Sequence, residues 1–217
     1  MTPAEDYAAV HSKRYQQSLE WISPLADKAE KILDVGGESP FTKIIRQRWP
    51  GKLSPYYFGD LRDGFLIRDC DLIICAEVLE HIADREAAEL QTEWNGTGTH
   101  MLLASCWLSL RPGGMLFLST PNAASTTSLK HLLYGEPAFI YRPHVREYCP
   151  REIKEMVSAV GFKIERFATF DIWNNAITQQ QRDEIVKFLK HGGYSLDERG
   201  EDVFALCRKP AETTRAA

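Results

Sequence analysis

The stretch from Asp71 to His81 constrains this chain most tightly. Leu72-Ile73-Ile74-Cys75-Ala76 is an unbroken apolar run of strand length. It lacks the polar alternation of a one-sided strand, so it reads as a strand covered on both faces, as in a parallel sheet between helices. Glu77, Glu80 and His81 follow at once. Their i, i+3, i+4 spacing predicts a helix from about Val78 to Gln91 with all three on one face and Val78, Leu79 and Ile82 packing down on the other. Ligands of open α/β sheets bind beyond the carboxyl ends of the strands, so this junction is a candidate active-site edge. The plain alternative is a solvated acidic first turn favoured by the helix dipole.

The flanking sequence supports an α/β architecture. Residues 4–30 read as helical and broken by Pro24. Lys31–Val35 is a strand, Phe41–Trp49 a helix, and Leu53–Phe58 an irregular or peripheral strand because of Pro55. Asn95–Thr99 reads as a loop and Met101–Leu110 as a helix ending at Arg111-Pro112-Gly113-Gly114. Met115–Ser119 is a strand closed by Pro121. Residues 122–148 show no clean period. Pro150 suits the first turn of a helix that stops at Gly161. Phe162–Phe170 and Val203–Cys207 read as final strands forming an antiparallel edge, with a helix over Ile177–Leu189 between them. Together these predict a single Rossmann-like domain over residues 1–210, with a mostly parallel sheet. Residues 1–30 form its N-terminal helical segment and 211–217 a disordered tail. Residues 122–148 are too long for a simple connection and read as a lid or substrate segment.

Composition narrows the function. The formal net charge of -4 argues against a broad nucleic-acid-binding surface. No apolar window is long enough to span a membrane, and the acidic N-terminus lacks a signal-peptide core, so a cytoplasmic location is expected. The five cysteines, at 70, 75, 106, 149 and 207, form no Cys-x-x-Cys pair and read as free thiols.

Asp34-Val35-Gly36-Gly37 lies where the first strand meets the first crossover helix. Such a turn brings backbone N–H groups and a helix N-terminus to one place, which suits a carboxylate or phosphate; a plain strand-to-helix turn reads equally well. In this order, Lys31–Gly37, Asp71–His81, Leu110–Asn122 and Val160-Gly161-Phe162 resemble the class I S-adenosylmethionine-dependent methyltransferases, over roughly residues 31–208. The resemblance implies a Rossmann-like sheet with an antiparallel terminal strand. It also implies that Asp34, Gly36 and Gly37 border the methionine part of S-adenosylmethionine, with Cys75 and Ala76 lining the same cavity. Asp60-Leu61 is similar to the family's adenine-contacting pair, though Asp60 reads as well as a turn residue. The family's second and third glycines are replaced by Glu38 and Pro40. Glu38 could repel the donor carboxylate or point at its ammonium, and Pro40 can still start a helix. Only 37 positions separate Asp34 from Asp71, so the middle crossover is shortened.

Arg142-Pro143-His144-Val145-Arg146-Glu147-Tyr148 sharpens the reading. With Glu77-x-x-Glu80-His81 it resembles the ubiquinone-pathway O-methyltransferases and the small-RNA 3′-terminal 2′-O-methyltransferases. That resemblance implies Glu77, Glu80, His81 and His144 as ligands of a divalent ion, whether Mg²⁺, Mn²⁺, Fe²⁺ or Zn²⁺. Without metal, His81 or His144 could act as a general base. The expected activity is methyl transfer to an oxygen of a small metabolite, a saccharide or a phenolic acceptor. One alternative is the terminal ribose of RNA, disfavoured by the acidic balance. Another is a non-catalytic protein that keeps the fold, which the altered glycine loop would suit. The oligomeric state does not follow from the sequence.

Overall fold

Leu72 and Ile74 face one side of a sheet, Ile73 and Cys75 the other, and all four are fully buried. This is the two-sided strand expected of the apolar run. A computed structural model of the protein describes residues 9–54, 59–83, 98–141, 143–173 and 177–211. Its elements are α1 (Ser12–Ala26), β1 (Ile32–Val35), α2 (Pro40–Arg48), β2 (Cys70–Ala76), α3 (Gly98–Ser109), β3 (Leu110–Pro121), α4 (Thr126–Leu133), α5 (Pro150–Val160), β4 (Lys163–Phe170), α6 (Gln179–His191) and β5 (Asp202–Arg208). The sheet order is β1-β2-β3-β5-β4. β1, β2 and β3 are parallel, and β5 runs antiparallel to both β3 and β4. The fold is therefore the α/β Rossmann-like architecture with a mixed, mostly parallel sheet. The last strand inserts inside the sheet, however, so β4 and not β5 is the edge.

Two cores cover the sheet. Trp21 and Ile22 of α1 and Phe41 and Ile45 of α2 pack on Ile32, Leu72, Ile74 and Phe204. Leu102 and Leu103 of α3 and Ile153 and Val157 of α5 pack on Leu33, Ile73, Leu116 and Ala205. Burial of such side chains is the main favourable term holding the layers together, at about 25 cal/mol per Å² of apolar surface. Among the described residues no helix is long and apolar enough to cross a membrane. All five cysteines are free, as expected.

Several boundaries move. Pro24 lies inside α1, which ends two residues later. The predicted strand near Leu53 is a single parallel bridge to Ile32 in the described part; residues 55–58 lie outside the described residues. Between α2 and β2 the described chain holds only that bridge and a 3-10 turn at Leu61–Asp63, so the middle crossover is short. Gly98 and Thr99 belong to α3 and not to a loop; 95–97 lie outside the described residues. β3 starts at Leu110, because Leu110 pairs with Cys70 before the irregularity that accommodates Pro112-Gly113-Gly114.

The largest correction concerns the helix predicted from Val78. The backbone N–H of Glu77 still donates to Ser119 O, which extends the ladder past β2. Glu77 then takes a left-handed φ of 56° and redirects the chain. One 3-10 turn, Leu79–His81, follows, and Ile82 is extended; residues 84–97 lie outside the described residues. Glu77, Glu80 and His81 therefore do not share a helical face. Residues 123–147 leave the sheet and return to it at a parallel bridge between Asn122 and Tyr148. The excursion carries α4, which the sequence did not reveal, and α6 packs against α4. Arg142 lies outside the described residues, as do the first eight residues and most of the tail.

Candidate functional site

The turn after β1 is built locally. Ser39 caps α2, accepting from Thr42 N–H at 3.1 Å, while Thr42 Oγ1 accepts from Ser39 N–H at 3.0 Å. Pro40 occupies the first helical position, where its missing N–H is harmless. Thr42 Oγ1 donates to Asp34 Oδ2 at 2.6 Å and so ties the end of β1 to the start of α2. Asp34 is buried, and burial pushes its carboxyl up to about 7 against the opposing Thr42 hydrogen bond and the Arg46 charge.

Gly36 and Gly37 both adopt positive φ, 114° and 92°. A Cβ on Gly36 would stand 2.6 Å from Val78 Cγ2, so packing alone explains that glycine. A Cβ on Gly37 would meet nothing within 4 Å, so that backbone faces open space. Glu38 pairs with Arg46 at 2.8 Å, and this hydrogen-bonded guanidinium holds its carboxyl below the usual range.

A cavity of about 230 Å³ opens against this turn. Asp34, Gly36, Gly37 and Ala76 line it from the sheet edge, and Arg14, Tyr15 and Ser18 of α1 close it. The expected residues Asp34, Gly36, Gly37 and Ala76 are thus brought together. Cys75 is not, because it is fully buried in the core on the α3 side. Asp60 and Leu61 are not among the described lining residues. Asp60 caps the 3-10 turn and pairs with Arg62, as its turn reading anticipated. The volume lies below the roughly 300 Å³ at which sites for drug-sized ligands begin, so the enclosed part suits one end of a larger ligand.

Beside this cavity lies a second cluster. Single ligand atoms of Glu80, His81 and His144 lie within 4.8 Å of one another. The His81 and His144 rings meet edge to face, their centroids 4.9 Å apart. Glu80 is fully buried; its Oε2 accepts from Thr120 Oγ1 at 2.9 Å, whereas its Oε1 has no hydrogen-bond partner among the described residues. Burial, reinforced by the Glu77 charge, pushes the Glu80 carboxyl well above the usual range. Burial and the neighbouring His144 lower His81, which keeps it neutral near pH 7. A buried, half-unpaired carboxylate beside two imidazoles fits a divalent cation, which would satisfy the orphan oxygen and offset the cost of its charge.

Glu77 stands apart from this group. Its carboxylate is held by Arg14 at 2.8 Å and by Ser119 Oγ at 2.7 Å. The cluster therefore contains three of the four expected ligands. His81 also lines the cavity, so the two features share a side chain. Sequence reasoning missed Arg14, the hydroxyls Ser119 and Thr120, and Glu147, which bonds His144. The position of Ser119-Thr120 at the carboxyl end of an apolar strand was one available signal, and Glu147 lay inside the Arg142–Tyr148 motif without a role assigned to it; Arg14 carried none.

Residues 7–166 match the model of a methyltransferase-domain family. A Mycolicibacterium smegmatis protein described as a probable S-adenosylmethionine-dependent methyltransferase is 23% identical over 147 residues, covering 65% of this chain and 47% of that protein. The chain thus spans about half the length of that curated relative. A methyltransferase structure from Archaeoglobus fulgidus superposes with a TM-score of 0.59 at 13% identity, covering 92% of this chain and 94% of the other. The N-methyltransferase NodS of Bradyrhizobium japonicum, solved with S-adenosyl-L-homocysteine, gives 0.54 at 14% identity, covering 92% and 87%. At such identities the two structures establish a shared fold.

Proposed function

The chain belongs to the methyltransferase-domain family, and we propose that it transfers the methyl group of S-adenosylmethionine to an oxygen of a small metabolite or saccharide, assisted by a divalent cation. The observation that carries this reading is His81, which lines the cavity beside Gly36-Gly37 and also belongs to the Glu80–His144 cluster.

Gly37, with its open face, would let the backbone approach the amino-acid end of the donor, and Asp34 and Ala76 would border it. Arg14, Tyr15 and Ser18 would flank that end from α1. Glu80, His81 and His144 would hold the cation, which when bound supplies Lewis acidity that lowers the pKa of an acceptor hydroxyl. The acceptor oxygen attacks the methyl carbon in line, the carbon–sulfur bond breaks with its electron pair going to sulfur, and the hydroxyl proton leaves to solvent. His81 is neutral near pH 7 and so is competent as a ligand; without a cation the same imidazole could take that proton. The excursion over 123–147 places the exposed Tyr141 against His144, ring centroids 5.3 Å apart, where a sugar or phenol could stack.

The test is transfer of a labelled methyl group from S-adenosylmethionine to a panel of vicinal diols, phenols and amines, with and without chelator. Oxygen methylation that chelator abolishes and Mn²⁺ or Zn²⁺ restores is the expected result. Transfer to amines alone would overturn the oxygen assignment, and indifference to chelator would remove the cation.

A further inference from the structure

We propose that Glu147 is the positioning residue that fixes His144 for cation binding, with Nδ1–H turned to the protein and Nε2 turned to Glu80 and His81; this rests on the cation reading above. His144 Nδ1 lies 2.7 Å from Glu147 Oε1, and the two side chains are 6% and 1% exposed. A carboxylate can only accept, so the ring donates through Nδ1 and keeps the lone pair of Nε2 free. Glu147 is itself aimed: Ile140 N–H donates to the same oxygen at 2.7 Å. The backbone holds the pair in register with the other ligands, because Val145 and Arg146 N–H both donate to the carbonyl of Glu80, at 2.8 and 3.3 Å. The loop bearing His144 therefore hangs from the same short turn that carries Glu80 and His81.

A merely structural staple is the competing account. It does not explain why Glu147 Oε2 is buried without a hydrogen-bond partner among the described residues. Burying a half-paired carboxylate opposes folding, and a neutral amide could accept from both Ile140 and His144 through one oxygen. A negative charge behind the imidazole instead raises its strength as a ligand, the usual effect of a carboxylate on a metal-binding histidine.

The experiment is calorimetric titration of Co²⁺ into the full chain, with its visible absorption as a second readout. Wild type is compared with Glu147→Gln, Glu147→Asp and His144→Ala, and S-adenosylhomocysteine affinity and thermal midpoint serve as controls. Glu147→Gln, nearly isosteric, should weaken Co²⁺ binding about 10- to 100-fold while S-adenosylhomocysteine affinity stays within about threefold. Glu147→Asp should recover part of the loss. A lowered thermal midpoint with unchanged Co²⁺ affinity in Glu147→Gln would overturn the inference and leave the cation reading standing. Wild-type Co²⁺ binding that His144→Ala does not weaken, or no binding at all, would overturn both.

Discussion

The glycine turn after β1 and the Glu80–His81–His144 cluster adjoin at one sheet edge but are assembled in opposite ways. Asp34, Gly36, Gly37, Ser39, Pro40 and Thr42 lie within nine positions, and the hydrogen bonds joining them span three to eight. The cluster joins Glu80 to Thr120, 40 positions away, and to His144, on a loop that returns from a long excursion. The first is a backbone device whose side chains mostly cap and tie. The second sets one buried carboxyl, Glu80, beside the exposed His81 and the half-buried His144, a grouping that only tertiary structure brings together. Local chemistry sets the shape of the donor turn, whereas the cluster depends on how well distant segments are held.

The two regions should separate under mutation, and that is the largest expected effect. His144→Ala should weaken Co²⁺ binding on the order of 100-fold while leaving S-adenosylhomocysteine affinity nearly unchanged. Asp34→Ala should do the reverse, weakening S-adenosylhomocysteine about 10-fold or more by freeing the start of α2. Calorimetry reads both, and equal loss of both ligands in both variants would mean that the regions act as one unit.

The two glycines sharpen the contrast within the donor turn. Gly36→Ala combines positive φ with a clash against Val78 and should cost about 2–3 kcal/mol in urea denaturation. Val78→Ala in that background should recover part of the loss. Gly37→Ala meets no atom, so its stability cost should be nearer 1 kcal/mol, from backbone strain alone, but it should weaken S-adenosylhomocysteine binding more than Gly36→Ala does.

The same contrast explains what could be read in advance. β1, α2 and α5 were legible because caps and breakers lie within them: Ser39-Pro40 before α2, and Pro150 and Gly161 around α5. α4 was illegible because its buried part is its first turn, Thr126, Thr127 and Ser128, which leaves no apolar period. Two of those hydroxyls are satisfied at a distance: Thr127 Oγ1 donates to Glu201 Oε1, and Thr126 Oγ1 accepts from Arg182 Nη1. The helix expected from Val78 does not form over 78–83, because an i, i+3, i+4 polar spacing describes a helical face but cannot reveal a left-handed residue just before it. Glu77 was grouped with Glu80 and His81 on spacing, and Arg14, 63 positions upstream, draws it away. Glu147 stood in plain view but had no visible partner until the loop was folded.

A smaller effect concerns pH. The folded Asp34 carboxyl, raised to about 7, binds a proton that the unfolded chain releases near its ordinary value of 3.8. The folded state then holds more protons between those values, so stability from this group is full below about pH 4 and falls as pH rises to 7. Denaturation curves at several pH values should show this slope in wild type and its loss in Asp34→Asn. The smallest effect is expected from Arg14→Met. It releases Glu77 from its ion pair, yet Co²⁺ affinity should change by less than about threefold, since Glu77 lies outside the cluster. A large gain in affinity would make Glu77 the fourth ligand after all.

The most direct test of the central claim is calorimetric titration of the full chain with S-adenosylhomocysteine. The account predicts saturable one-to-one binding in the micromolar range that Asp34→Ala weakens. No heat and no thermal shift at millimolar ligand would contradict it, leaving the cavity beside Gly36-Gly37 a feature of the fold without a donor to seat.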